Sequence, residues 1–373
     1  MIIGIDGNEA NVKNRVGSGK YAFELLRQFP QNKEHQFIVY LKEKPLPDLS
    51  NEAQNFKYMV FGPKQMWTQF ALPIKLTFSS KLDVFFSLGH YGPRFSKVRY
   101  CITIFDLSYL HYPNLFNRDD LYQLKSWSSY SIKNSAHIFA ISSSTKNDIV
   151  HNYGVNPSKV TVTYMGYDER RFKPQSKAKI TKAKKKYKIE GDYIIFVGTL
   201  QPRKNIERLI EAFHKLVRNS KLEIRNYQLI IVGRRGWLYD SILEKVKKIN
   251  IEDKVTFTGY VSDSDLPALV SGADVYVLPS LWEGFGIPVI EAQACGTPAV
   301  VSNTSSLPEV VGNSAFLVDP ENVNSIANGI KKVLTNEELR RDLIKRGYAN
   351  VKRFSWQKCA EATLDTLERV ASS

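Results

Sequence analysis

The chain has 373 residues, 43% of them hydrophobic and 12% aromatic, which is long for one domain and apolar enough to bury two cores rather than stay disordered. No window approaches the roughly 18 apolar residues of a membrane span, and the opening MIIGIDGNEA, interrupted at Asp6, is too short for a signal peptide. A net charge of +15, from 52 basic against 37 acidic side chains, implies attraction to polyanions without choosing among nucleotide diphosphates, anionic lipid and nucleic acid.

A cytoplasmic protein is therefore expected, peripheral on the inner face of the membrane if it meets one. The three cysteines, Cys101, Cys295 and Cys359, are too scattered for a disulfide framework or a thiolate metal site and read as small buried residues.

Taken in chain order, the runs IIGID, QFIVYL, FKYMVF, DVFFSL, YCITIFD, HIFAIS and VTVTYM precede residue 166. They are short, β-branched and aromatic, as buried strands are. A second series, YIIFVG, QLIIVG, VTFTG, VYVLPS, PAVVS and AFLVD, follows with helix-length segments between its members. That alternation predicts an α/β fold of two doubly wound, Rossmann-like domains, each a parallel sheet with helices on both faces. The polar stretch from Tyr167 to Lys188 reads as the linker. Within it, Ser176 to Lys188 holds seven lysines; helical spacing would put Ile180, Ala183 and Tyr187 on one face, making the run a solvated helix or a dock for an anionic membrane surface. Aromatic-interleaved RNA recognition sequences are not visible, so no nucleic acid is expected as a partner. A helix is predicted over Asn205 to Asn219, with Ile206, Leu209, Ile210, Phe213 and Leu216 in period and Asn205 as its cap. Another starts at Trp356, with Cys359, Ala360, Leu364, Leu367 and Val370 along its stripe.

Ligands of such sheets bind beyond the carboxyl ends of the strands. LWEGFGIPVIEAQACGTP, Leu281 to Pro298, sits at one such end: two glutamates, Glu283 and Glu291, bracket a glycine-rich turn that feeds a helix with Pro288 in its first turn. The N–H groups of Gly284, Phe285, Gly286 and Ile287 should face outward, a cradle for a diphosphate. The carboxylates suit hydroxyls, because an ionised carboxylate only accepts hydrogen bonds. After YIIFVG, Arg203 and Lys204 stand just before a helix start, where cations oppose the macrodipole and need a compensating anion. Asp263-Ser264-Asp265 spells a pattern that metal-dependent sugar transferases of another fold use, but it precedes LPALV and reads as a helix start capped by Ser262 or Asp263. The six histidines, His35, His90, His111, His137, His151 and His214, show no ligand pairing at helical or hairpin spacing. No metal is expected.

FVGTLQPRKNIERLIEAF (196–213), the segment 255–320 around LWEGFGIPVIEAQACGTP, FDLSYLHYPNLF (105–116), GSGKYAFELL and the closing FSWQKCAEATLDTLERV together resemble, in order and spacing, the retaining glycosyltransferases of family four, also called glycosyltransferase group 1. The likeness runs nearly the whole chain. It implies the GT-B architecture, two Rossmann-like domains facing across a cleft. It also implies that the last helix returns to the first domain, giving residues 1–170 plus 356–373 on the acceptor side and 171–355 for the nucleotide sugar. By this resemblance Gly17, Ser18 and Gly19 approach the donor diphosphate, which on G-x-G alone would be an ordinary flexible turn. Arg203 and Lys204 clamp the leaving phosphates, Tyr260 and Val261 hold the base through backbone groups, Glu291 holds the ribose, and Glu283 orients the donor sugar. Asp106 matches the aspartate of the family's His-Asp step, but Phe105 stands where the family has histidine; His90 and His111 are near in sequence.

The implied reaction is transfer of a hexose, mannose or glucose, from a nucleotide diphosphate sugar, GDP- or UDP-linked, to a glycan or lipid-linked acceptor. It proceeds with retention, without metal or other cofactor, and with Glu283, Arg203, Lys204 and Asp106 as the catalytic set. Two rivals stay open: a nucleotide-sugar epimerase or hydrolase on the same architecture, and a non-enzymatic basic binding protein.

Overall fold

Each of the thirteen apolar runs contains one strand. A computed structural model of the protein describes residues 1–78, 81–218 and 223–373. The first series forms β1 (Ile2–Asp6), β2 (Gln36–Leu41), β3 (Phe56–Val60), β4 (Val84–Ser87), β5 (Tyr100–Ile104), β6 (His137–Ala140) and β7 (Val160–Val162). The second forms β8 (Tyr193–Val197), β9 (Gln228–Val232), β10 (Val255–Gly259), β11 (Val275–Leu278), β12 (Ala299–Ser302) and β13 (Phe316–Val318). Their continuous apolarity has a physical cause: β4, β5, β11 and β12 are buried at every position, as strands covered on both faces must be.

The chain divides into two compact units, Met1–Gly166 with Ser355–Ser373, and Tyr167–Phe354. In the first, all strand pairs are parallel in the order β3-β2-β1-β4-β5-β6-β7. In the second the order is β10-β9-β8-β11-β12-β13, again parallel throughout. Both are Rossmann-like α/β sheets. Each reverses its winding once, at β1/β4 and at β8/β11, and such switch points are where ligands of open α/β sheets bind.

The helix Ile206–Arg218 shows how the helices attach. Its buried face is Ile206, Leu209, Ile210, Ala212, Phe213 and Leu216, and it packs against the helix Val323–Thr335. Each large apolar side chain so buried contributes about 1.5–3 kcal/mol relative to exposure. Residue 219, the expected last one, lies outside the described residues. Asn205 is not a side-chain cap: it adopts a left-handed φ of 58°, and its amide donates to the carbonyls of Pro279 and Pro320 at 2.8 and 2.7 Å, which ties three loops together. The last helix, Trp356–Ser372, is capped by the Ser355 hydroxyl accepting from the Lys358 N–H. It buries the expected stripe against the helix Ser18–Gln28 of the first unit, with Trp356 edge-on to Tyr21.

The lysine-rich stretch read as a linker belongs to the second unit instead. Lys177–Lys186 is a helix that packs on Leu266–Ser271, with Ala183 buried, Ile180 against Gly272, and Tyr187 donating to Asp265 at 3.1 Å. The Ile180/Ala183/Tyr187 face outweighs the lysines beside it. Cys101, Cys295 and Cys359 are free and buried, and burial pushes each thiol up to about 12.

Candidate active site

In the second unit two loops leave the carboxyl ends of β8 and β11, the neighbours at the switch point. The first carries a single turn of 3-10 helix, Pro202–Lys204, and the second carries Ser280 to Gly286. The backbone N–H of Leu281 donates to the Arg203 carbonyl at 2.9 Å, and the Arg203 guanidinium donates to the Trp282 carbonyl. This brings Arg203, Lys204 and Glu283 into one cluster. Lys204 Nζ lies 2.6 Å from Glu283 Oε1 and an Arg203 nitrogen 3.6 Å from Oε2, all three side chains being largely buried.

Glu283 is held from every side. The Ser280 hydroxyl donates to its carboxylate at 2.6 Å, its N–H donates to Ser305 Oγ at 2.9 Å, and the Ser306 hydroxyl donates to its carbonyl at 2.9 Å. Burial by itself would raise the carboxyl's pKa; Lys204 and Arg203 more than offset it, so Glu283 titrates below the usual glutamate range. The compensating anion that the two cations were expected to need is supplied within the protein by Glu283. Ser280, Ser305 and Ser306 were missed from the sequence. The signal for the last two is a pair of hydroxyls a few residues beyond the strand in PAVVSNTSSLPEV.

The helix Ile287–Ala294 starts from Gly286 at a left-handed φ of 100°, where a Cβ would also meet the Leu307 side chain at 2.8 Å. Pro288 lies in the first turn. Among the described residues, the N–H groups of Gly284, Gly286 and Ile287 find no partner in the protein, as expected of orphan donors at a helix start. Phe285 is buried edge-on to Phe354. Glu291 falls just past the first turn and is buried. Tyr276 on β11, raised by burial and by nearby Glu283 and Glu291, donates to the Val197 carbonyl.

Tyr260 and Val261 follow β10, at the edge of the same sheet. Val261 is buried; Tyr260 is 57% exposed, with the Arg234 guanidinium 4.4 Å from its ring centroid. The two aspartates of Asp263-Ser264-Asp265 face cations of the protein, Asp263 with Arg171 at 3.0 Å and Asp265 with Lys186. Neither Ser262 nor Asp263 caps the following helix as expected. The Ser262 hydroxyl donates to Asp265, which itself occupies the cap position.

In the first unit, Gly17 takes a φ of 47° and opens the helix Ser18–Gln28; the Ser18 hydroxyl donates to Glu9 at 2.8 Å. Asp106, beyond β5, accepts from both the N–H and the hydroxyl of Ser108, which orders the short helix Ser108–His111. His111 pairs with Asp148 at 3.1 Å. His90 packs on Phe105. One histidine has a carboxylate environment that sequence spacing hid: ligand atoms of Glu34, His35 and Glu368 lie within 4.8 Å of one another, Glu368 arriving from the last helix.

Two parallel, doubly wound units, one carrying buried cations and unpaired helix amides at its switch point, place the candidate site where open α/β sheets bind their ligands. The chain belongs to the group 1 glycosyltransferases. Residues 178–350 match the family described as Glycosyl transferases group 1, and residues 16–171 match Glycosyltransferase Family 4. The chain is 31% identical over 281 residues to O-antigen chain mannosyltransferase B of Escherichia coli, covering 74% of this chain and 73% of that protein. A serotype-specific mannosyltransferase, WbdA, of the same species is 31% identical over 63% of this chain, which spans only 29% of WbdA. Among solved structures, sucrose-phosphate synthase from Thermosynechococcus elongatus superposes with a TM-score of 0.77 over all of both chains at 19% identity. The fold is therefore GT-B.

Proposed function

We propose that this glycosyltransferase moves a hexose, mannose in the first instance, from a GDP- or UDP-linked sugar to a glycan or lipid-linked acceptor, with retention and without a divalent metal. The observation that carries the reading is the buried Lys204–Glu283–Arg203 cluster beside the unpaired N–H groups of Gly284, Gly286 and Ile287. Two cations and a helix N-terminus converge there, which is what a departing diphosphate requires and what a metal would otherwise supply. Retaining a buried ion pair costs desolvation that an apolar core would not, so the cluster's persistence at a switch point favours a ligand role. The choice of mannose leans on the printed activity of the mannosyltransferase relatives.

In this reading the bond between the anomeric carbon and the phosphate oxygen breaks as the acceptor oxygen bonds to the same face of that carbon. The acceptor's proton passes to a phosphate oxygen of the leaving nucleoside diphosphate. Arg203 and Lys204 take up the charge developing there, Glu283 orients the sugar through its hydroxyls, and Glu291 holds the ribose. Tyr260 and Val261 frame the base, Gly17, Ser18 and Gly19 contribute to the phosphate, and Asp106 orders its loop.

The test is incubation of the protein with radiolabelled GDP-mannose or UDP-glucose and a mixed glycan and lipid-linked acceptor pool, with and without chelator. Labelled glycoside of unchanged anomeric configuration, formed equally in chelator, is the expected result. Isomerised or free sugar alone would replace transfer with epimerisation or hydrolysis, and an absolute Mg²⁺ or Mn²⁺ requirement would remove the metal-free mechanism.

A further inference from the structure

We propose that the first unit docks on an anionic lipid surface through one apolar ridge made by Met66, Phe70, Ile74 and Phe78. These four side chains are 52, 59, 60 and 81% exposed. They recur every fourth residue, and the backbone carries that period: Phe70 N–H donates to the Met66 carbonyl and Ile74 N–H to the Phe70 carbonyl. Phe70, Ile74 and Phe78 therefore stand in one row at the start of and along the helix Ala71–Phe78, and Met66, at a left-handed φ of 50°, lies in the turn before it. The opposite face is core, with Trp67, Ala71, Leu72 and Leu76 buried and the Trp67 indole N–H satisfied by the Phe61 carbonyl. The helix is thus anchored on one side, and the row on the other is exposed among the described residues. Scattered exposed hydrophobics need no explanation, but three in one row with a fourth in the preceding turn make a patch that marks an interaction site.

Charge selects the occupant. From Ala53 to Leu82 the sequence holds four lysines, Lys57, Lys64, Lys75 and Lys81, and no aspartate or glutamate. The acidic groups facing the segment are engaged: Glu43 pairs with Lys64 at 3.1 Å, Glu52 accepts the Tyr58 N–H at 2.8 Å, and Asp83 accepts the Ile2 N–H at 2.6 Å. Lysine is depleted in the cores of protein interfaces, whereas phenylalanine and isoleucine flanked by lysine suit a helix lying in the headgroup layer of an anionic leaflet. The inference deepens the proposed transfer by naming the surface where a lipid-linked acceptor would be met, yet lipid binding is read without any sugar transfer, so either can fail alone.

The experiment uses the full chain with sedimenting vesicles of phosphatidylcholine alone and of phosphatidylcholine with about one third phosphatidylglycerol. Wild-type protein should partition onto the anionic vesicles. The combined variant Phe70→Ser, Ile74→Ser, Phe78→Ser should lower that partition at least about tenfold, and Lys81→Gln by a few fold only. Because the changed side chains are already exposed, the triple variant should keep the wild-type circular dichroism and its activity on a water-soluble acceptor. Ile74→Trp supplies a readout that does not depend on losing anything: its emission, corrected for wild type, should shift to the blue on anionic vesicles. Equal partition of wild-type and triple-serine protein, or an Ile74→Trp emission unmoved by lipid, would overturn the proposal. So would a wild-type dimer that the serines dissociate with no change in lipid binding, which would assign the ridge to a second copy of the chain.

Discussion

The imidazole of His90 lies flat on the ring of Phe105, centroids 5.6 Å and planes 14° apart, while its Nε2 accepts the Phe105 N–H at 2.9 Å. That bond places the neutral ring's proton on Nδ1. Burial lowers the ring's pKa below the usual histidine value, a shift that nearby Asp106 only partly opposes. Phe105 occupies the position where the family resemblance leads one to expect histidine, so an imidazole is delivered to the same loop from the end of the neighbouring strand β4. His90→Ala would strip Phe105 of both its stacked ring and its part-buried backbone acceptor, and leaving that N–H unsatisfied costs at most about 1–3 kcal/mol. His90→Gln, which restores an acceptor oxygen, should recover part of that. Urea unfolding midpoints of the two variants measure the difference; equal midpoints with wild type would mean the contact contributes nothing.

Lys204 has two duties that a single substitution confounds. Lys204→Ala or Arg203→Ala should lower kcat/KM by about ten- to a thousandfold, roughly 1.4–4 kcal/mol of transition-state stabilisation. Lys204→Ala also leaves Glu283 buried with only the more distant Arg203, and breaking a buried pair in this way costs about 3–5 kcal/mol of stability. The double change Lys204→Met, Glu283→Gln removes both charges together and should regain most of the stability while regaining none of the activity. Calorimetry and initial rates on the three variants separate the effects. Activity that returned along with stability would reduce Lys204 to a structural counter-ion.

How far the sequence could reach depends on where each interaction is encoded. Buried parallel strands announce themselves as continuous apolar runs, so all thirteen were legible. The glycine turn before Pro288 was legible for a similar reason, since its conformational needs are local. Glu283's partners were not, because Lys204 lies 79 positions away in sequence and only the adjacency of β8 and β11 joins them. The stretch from Tyr167 to Lys188 reads as linker by composition, but its helical face of Ile180, Ala183 and Tyr187 was legible, and that face packs Lys177–Lys186 into the second unit. Asn205 has a good capping residue's chemistry, yet its left-handed backbone and two neighbouring loops claimed its amide.

Gly286 joins that turn to the helix whose N–H groups face the proposed diphosphate. Gly286→Ala places a side chain at a φ of 100° and a methyl group 2.8 Å from Leu307 Cδ2, so the turn must rearrange. Strain of this kind costs on the order of 1–3 kcal/mol, and the displaced amides should weaken donor binding further. Tm is expected to fall, and the Tm gain on adding donor should shrink relative to wild type, where a ligand at 100 times its Kd adds about 2.7 kcal/mol. An undiminished gain would place the donor phosphates elsewhere.

Stability should also depend on pH through His137, the first residue of β6. Burial, then Arg369, Lys146 and Lys159, lower its pKa from 6.5 to about 4, while its Nε2 lies 2.9 Å from the Thr161 hydroxyl. Between those values the unfolded chain binds a proton that the folded protein refuses, so stability is full above 6.5 and is lost progressively as pH falls towards 4. The ring is partly exposed, and after discounting for solvent screening the loss is on the order of 1–2 kcal/mol. Asp6, raised by burial from 3.8 to about 6, acts oppositely: its contribution is present below 3.8 and lost as pH rises through 6, which flattens the summed profile. His137→Asn, which cannot titrate, isolates the histidine. The difference in unfolding free energy between wild type and this variant should drift against wild type as pH is lowered from 7 to 4, and a difference constant across that range would show that His137 is protonated equally in both states.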